Sequence, residues 1–440
     1  MRSVNTVVIP EYGRELVLQS VRDAENEWKK NEQGRKNVSL DFYYHHNIDK
    51  HIEEYFPSDS LSQIPTFPQK IVPRFARARM LLYKLPPKRF ISGEESEDYK
   101  NLAHSLDSRT RTFAELTWLL GGCGLRTKWN DRSQRIEYDV LPNYKRYYIE
   151  GEADPFGVSY EVGKDTNEER KFVFWSEARD GDSGYHFTFT QGGRIVPVNE
   201  DYVNPYGIIP VSFADFETNA GDVVRSAIQI GIATTEIALG VRYSLGQPVL
   251  IGLGEDVKLR GGIDQAIQIP EGASFSYVSP TGSLNEMIEA VKSFANITAE
   301  NNHLRVRWGD TSGNPPSGEA LKILEIENLE ARESDMQIFR EWEKERYEID
   351  RAVVQTHTGR DLGEDYVVDF GEAQFPMSQM EELEVLKMKK EMGIITQRDI
   401  LKHFNPDAQE SEIQEKLNQV QAETPTTEPL FGELRGETGQ

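Results

Sequence analysis

The sequence predicts an α+β chain, and three observations carry that expectation. A stretch at 317–357 has no glycine or proline beyond its opening Ser317-Gly318 and reads as one long helix. Between about 124 and 215, short aromatic segments alternate with Gly, Asp and Asn turns, the pattern of antiparallel sheet. A third stretch, 221–245, is small and aliphatic nearly all round, as in a helix buried on all its sides.

At 440 residues the chain has room for two or three domain-sized units, or for one elongated subunit with several modules. Apolar residues make up 38% and charged residues 28%, a balance that suits much solvated or subunit-facing surface. No run of about 18 apolar residues occurs, so no membrane-spanning helix is expected. The first residues, Met1-Arg2-Ser3-Val4-Asn5, lead into a mixed polar segment and predict no signal peptide. The single cysteine, Cys123, excludes an intrachain disulfide and fits a reducing compartment; within Gly121-Gly122-Cys123-Gly124 it reads as a structural thiol in a turn. The net charge of −23 argues against a protein that grips nucleic acid over a broad surface. It allows one that surrounds DNA without adhering, because an acidic wall repels phosphates.

The elements follow in order. The first 65 residues are mixed, with an aromatic patch at Phe42-Tyr43-Tyr44-His45-His46; adjacent histidines diverge on either kind of element, and no third metal ligand stands at a useful spacing. A short helix is expected between Pro73 and Pro86, with Phe75, Met80 and Leu82 toward the core and its arginines solvated. This 71–90 segment is the most basic stretch, open to nucleic-acid contact or to a solvated or subunit-facing role. A helix at about 95–120 stops at the glycines. In the sheet region, Lys171-Phe172-Val173-Phe174-Trp175 and Tyr185-His186-Phe187-Thr188-Phe189-Thr190 are the plainest strands. Within the helix at 221–245, Gly231 and Ala238 permit close approach of another backbone.

Strand and turn return at 246–282, then a helix at about 283–303 with Ser283 as N-cap and Leu284, Met287, Ile288, Val291, Phe294 and Ala295 on one face. Arg305-Val306-Arg307-Trp308-Gly309-Asp310-Thr311-Ser312-Gly313-Asn314-Pro315-Pro316 can only be a loop. The long helix after it would span on the order of 60 Å, with Met336, Phe339, Trp342, Ile349 and Val353 as its apolar stripe and Glu, Arg and Lys filling the rest. Tyr366-Val367-Val368-Asp369-Phe370 reads as a strand. Short helices fill 377–421, one of them capped by Thr396 with Asp399 three residues on. The end of the chain reads as an acidic disordered tail.

Catalytic signatures are missing. The sequence has no GxxxxGK[ST], HExxH, GxSxG or CxxC. Gly252-Leu253-Gly254-Glu255-Asp256-Val257 opens like a dinucleotide fingerprint but lacks its third glycine and a βαβ setting. No enzyme, cofactor or metal is expected.

Asn204-Pro205-Tyr206-Gly207-Ile208-Ile209-Pro210-Val211 resembles the approach to the first stem helix of tailed-bacteriophage portal (head-to-tail connector) proteins. Ser317-Gly318-Glu319-Ala320-Leu321-Lys322 resembles the opening of that family's helix after the tunnel loop. Gly393-Ile394-Ile395-Thr396-Gln397-Arg398-Asp399-Ile400-Leu401, with the acidic helix at 409–421, resembles its crown. The resemblance covers about 40–425. It implies an elongated portal-type subunit: an antiparallel β-rich wing at 1–220, stem helices at 221–246 and 283–304, and a small α/β clip at 247–282. A tunnel loop at 305–317, a long helix returning to the wing at 318–376, a helical crown at 377–425 and the tail at 426–440 complete it.

The same resemblance implies a ring, typically of twelve subunits, at one capsid vertex of the virion, assembled in the host cytoplasm and touching no membrane. It implies double-stranded DNA passing through the channel during packaging and ejection. The implied partners are the terminase, then head-completion, adaptor and tail proteins, and the major capsid or scaffold protein. Arg305, Arg307, Trp308, Asp310 and Asn314 become candidates for the loop nearest DNA, where Arg305, Arg307 and Trp308 would alternatively make salt bridges and packing contacts within the ring. Ala227, Gly231, Ile237, Ala238 and Phe294 become stem-packing candidates, and Gly254, Glu255, Asp256, Lys258 and Arg260 candidates for partner binding at the clip. Two other classes stand beside this one. A coiled-coil adaptor or scaffold is disfavoured because Glu327, Arg332 and Arg346 break the long stripe. A DNA-processing enzyme is disfavoured by the missing motifs.

Overall fold

The computed structural model describes residues 6–13, 15–17, 19–20, 33–57, 61, 65–164, 170–179, 181–190, 195–197, 203–243, 247–251, 274–278, 284–305, 325–373, 379–405 and 410–423. They form a mixed α+β chain of helices and mostly antiparallel sheets. Two units divide it: 1–310 with 325–373, and 311–324 with 374–440.

The first unit opens with β1 (Thr6–Ile9), then α1 (Gln33–Tyr44), α2 (Ile48–Glu53) and α3 (Ile71–Arg79). The expected helix at 73–86 ends at Arg79, and Lys88–Ile91 is instead β2, followed by β3 (Glu94–Glu95). Phe75, Met80 and Leu82 are buried as expected, but so is Arg79, whose Nη1 donates to Asp335 Oδ2 at 2.5 Å. The helix expected at 95–120 is two: α4 (Glu97–Leu102), capped by the Ser96 side chain, and α5 (Leu106–Leu120). The break at 103–105 separates two helices that both send side chains into the same core, Tyr99 from the first and Leu106 from the second.

Gly121, at φ 79°, ends α5 in the left-handed region and turns the chain into β4 (Gly122–Asn130). Cys123 therefore sits in a strand and not a turn, fully buried, and burial pushes its thiol up to about 12. β5 (Arg135–Leu141) and β11 (Val211–Asp215) flank β4 in an antiparallel three-stranded sheet. The predicted sheet region thus holds two sheets. The second runs β1-β6-β7-β8-β9-β10, with β6 at Tyr144–Ile149, β7 at Gly157–Lys164, β8 at Arg170–Ser176, β9 at His186–Thr190 and β10 at Ile195–Pro197. All its pairings are antiparallel except β1 with β6, an edge contribution from the N-terminal segment that its mixed composition conceals. Period-2 alternation explains its two cores: Phe172, Phe174, Phe187 and Phe189 stack on one face, while Val173 and Trp175 pack with Tyr144, Val158 and Tyr160 on the other.

Next come α6 (Gly221–Tyr243), the paired strands β12 (Gln247–Ile251) and β13 (Ser274–Val278), and α7 (Leu284–Asn301). Then comes α8 (Ile326–Thr358), 33 residues and about 50 Å long, and β14 (Tyr366–Asp369), which pairs antiparallel with β2. Residues 317–324 of the predicted long helix lie outside the described residues. Its apolar stripe is buried as expected, but the charged remainder is not simply solvated: Arg332, Asp335, Glu343, Arg346 and Asp350 are buried too. Arg346 donates to Glu343 at 2.7 Å, and Glu343 also accepts from Arg89, Tyr83 and Tyr366. The Glu343 carboxylate thus lies between the guanidiniums of Arg89 and Arg346, where an unpaired charge would be costly.

The second unit holds α9 (Gln379–Glu391), α10 (Gln397–Phe404) and α11 (Glu410–Glu423). Thr396 and Asp399 form the predicted capping box on α10. Among its described residues, α10 buries none, and Met388, Met392 and Ile394 are 60–70% exposed.

Candidate assembly surface

The helix–hairpin–helix segment from 221 to 301 is built as one antiparallel arm. Asp222 on α6 accepts from Asn302 just past α7, and one turn on, the Ser226 hydroxyl meets that of Thr298 at 2.6 Å. Gly240 then lies against Leu284, where an added Cβ would come within 3.1 Å of its Cδ2. Each advance along α6 is matched by an equal retreat along α7, over about 27 Å. The two strands are antiparallel as well, running from Gln247 opposite Val278 to Ile251 opposite Ser274, one residue out of the register of the helices. Among the described residues, an antiparallel helix pair is thus accompanied by an antiparallel strand pair from the same stretch of chain.

Only part of the arm is covered by the rest of the molecule. The first half of α6 packs on α1, α2 and α3. Val223, Ala227 and Ile230 are buried there, and the backbone of Phe67 is bracketed by the hydroxyls of Thr234 and Thr235. Gly231 lets the helices close up at this crossing: an added Cβ would stand 2.5 Å from the Cδ1 of Ile52, whose side chain would have to shift. Beyond Thr235 the cover thins. Ile237 and Ala238 are half-buried and Val241 is 54% exposed, so the expectation of a helix buried on every side fails for the chain taken singly.

On α7, small residues face α6. Ala295, Thr298 and Ala299 are buried, whereas Ile288, Phe294 and Ile297 are 40%, 51% and 55% exposed. Phe294 and Ile297 form the apolar lip of a groove of about 280 Å³ between the helices, whose floor includes Ser226 and Thr298. The predicted apolar face is thus split. Ala295 is buried and Leu284 and Val291 are partly covered, by Gly240 and by the core, whereas Ile288 and Phe294 are left at the surface.

The five stem-packing candidates divide accordingly. Ala227 and Gly231 pack within the chain, Ile237 and Ala238 are partly covered, and Phe294 points outward. Arg305 is exposed just after α7, which ends in a turn with Leu304 N donating to Ala299 O and His303 at φ 59°. Arg307, Trp308, Asp310 and Asn314 of the predicted tunnel loop lie outside the described residues, as do Gly254, Glu255, Asp256, Lys258 and Arg260 of the predicted clip. Sequence reasoning missed the exposed Val241, Ile251 and Ile297. For Val241 and Ile297 the signal was present, since an apolar residue every three or four positions on several faces of one helix exceeds what one partner helix can cover.

Among the described residues no group of three or more His, Cys, Asp or Glu side chains is placed to hold a metal ion, and no helix is long and apolar enough to cross a membrane. No protein-family profile matches the sequence. No curated protein matches it. Among solved structures the chain is similar to a portal protein of an HK97-family phage from Corynebacterium diphtheriae. The identity is 10% and the TM-score 0.33, over 72% of this chain and 94% of that one.

Proposed function

We propose that the chain is the subunit of a ring-forming portal protein, with the 221–301 arm lining a central channel and supplying its subunit contacts. The observation that carries this reading is the arm itself: two antiparallel helices accompanied by an antiparallel strand pair, with large apolar side chains left uncovered on both helices. Exposed apolar residues clustered on one element favour a protein partner, and copies of one chain that meet head to tail form a ring when the rotation between them closes. The strongly negative charge suits a conduit that must pass DNA without holding it.

On this reading the protein has no catalytic role. The ring, of twelve subunits, sits at one capsid vertex of the virion. It passes double-stranded DNA inward during packaging and outward during ejection. The hairpin end would meet the terminase first and head-completion, adaptor and tail proteins later, and other surfaces would meet the capsid or scaffold protein. Negative-stain electron microscopy of the purified full chain tests the core of the reading. Closed rings with a central hole support it, and isolated compact particles across protein and salt concentrations contradict it.

A further inference from the structure

The basic stretch at 71–90 has no part in the arm, and the fold places it beside a second basic element. Arg77 on α3 and Arg111 on α5 flank one carboxylate, that of Glu115, whose side chain is only 4% exposed. Arg111 Nε donates to Glu115 Oε1 at 3.2 Å, Arg77 Nε stands 3.9 Å from Oε2, and the Tyr43 hydroxyl donates to Oε2. The two arginines themselves are 50% and 62% exposed. A single buried acid therefore steers two guanidiniums and neutralises only one of them.

A third arginine, Arg109, is exposed on the same helix as Arg111 and near enough to Tyr44 to draw its phenol down against the burial that raises it. Tyr44 is itself 50% exposed. Its ring is braced edge-on by Tyr43 at 4.9 Å and stacked with His46 at 6.3 Å. Glu137, a carboxylate within range of Arg109, is already held by Asn130 and Lys128.

Outward guanidiniums pair with phosphate oxygens, and an exposed, braced aromatic ring is a platform for a base. An acidic peptide would use the arginines but not the ring. We propose that Arg77, Arg109, Arg111 and Tyr44 form a contact site for a nucleic-acid strand, with phosphates on the guanidiniums and a base against Tyr44. The acidic remainder of the chain keeps the contact weak and salt-sensitive.

Fluorescence anisotropy of the full chain with a labelled twelve-nucleotide oligothymidylate tests this. Three phosphate contacts at a single strand predict an affinity loss of about 20-fold between 50 and 200 mM salt. Arg77→Gln/Arg109→Gln removes two cations without taking a hydrogen bond from Glu115, so the fold is retained, as circular dichroism will verify. It is expected to weaken binding at 50 mM salt by at least about tenfold and to cut the salt effect to about threefold. Tyr44→Ala is expected to weaken binding by about tenfold while leaving the salt effect intact. Three results overturn the proposal: unchanged binding by the folded double variant, no binding by the natural protein at 50 mM salt, or displacement of the oligonucleotide by polyglutamate more readily than by unlabelled oligothymidylate. The last would make the patch a docking site for an acidic protein.

Discussion

Arg346 and Asp350 lie one turn apart on α8, both fully enclosed, and the guanidinium donates to the carboxylate. Asp350 also accepts from Tyr99, Tyr138 and Thr127, at 2.6, 2.7 and 2.9 Å, so one side chain of α8 is tied to α4, β5 and β4. Glu343 ties the same helix to β2 through Arg89 and to β14 through Tyr366. Burial pushes Glu343 up, but Arg89 and Arg346 outweigh it and hold the carboxyl well below the usual range.

Removing one member leaves enclosed charges unpaired. Arg346→Met is expected to lower unfolding stability by about 3–5 kcal/mol, because Glu343 loses one guanidinium and Asp350 its only one. Tyr138→Phe, which removes one of four donors to Asp350, is expected to cost about 1.5–3 kcal/mol. Urea denaturation checks both. A loss for Arg346→Met no larger than that for Tyr138→Phe would remove the network from the list of what holds α8 in place.

A histidine gives the fold a pH dependence of known sign. His186 stacks on Trp175 with ring centroids 3.4 Å apart, and burial, helped by Arg126, lowers its pKa from 6.5 to about 4. The folded state therefore keeps it neutral, while the unfolded chain takes up its proton. The stability it contributes is complete above pH 6.5 and is lost as the pH falls toward 4. His186→Phe preserves a stackable ring without a titrating group. Midpoints of urea unfolding at pH 7 and 4.5 are expected to fall more in the natural protein than in this variant, and equal falls would contradict the assignment.

The crossing of α6 over Ile52 predicts an energetic coupling. Gly231→Ala alone trades a gain in helix propensity of about 1 kcal/mol against overpacking of about 1–3 kcal/mol. In the Ile52→Val background the clashing Cδ1 is gone, so the same change is expected to stabilise. A double-mutant cycle by urea denaturation should return a coupling of about 1 kcal/mol or more, and simple additivity would mean that Ile52 moves aside freely.

The exposed lip on α7 predicts a separation of folding from assembly. Phe294→Glu/Ile297→Glu places charges on side chains that are half exposed in the single chain, so circular dichroism and thermal unfolding of the monomer are expected to change little. Association is expected to be lost, read by sedimentation velocity. Retained assembly in the double variant would move the subunit contacts away from this face.

Much of this architecture was legible in the sequence, for reasons that can be traced to particular residues. Period-2 aromatic alternation exposed β8 and β9, glycines at 121 and 122 marked the end of α5, and Thr396 with Asp399 announced α10. The buried charges of α8 were hidden because Arg332 and Arg346 look like surface residues until partners from other elements, Gly371 for the first and Tyr99 and Tyr366 for the second, are brought to them by the fold. The same limit concealed β1, whose pairing with β6 spans about 140 residues of chain. For the candidate surface, composition identified the two helices but not which apolar residues face each other. That depends on the Asp222–Asn302 and Ser226–Thr298 register, which only the folded arm fixes.

The most direct test of the central claim is the mass of the natural protein in solution, measured by mass photometry over a hundredfold range of concentration. A ring predicts one dominant species at a fixed whole-number multiple of 50.3 kDa, unchanged across the range. A monomer throughout, or a ladder of open oligomers growing with concentration, would contradict it.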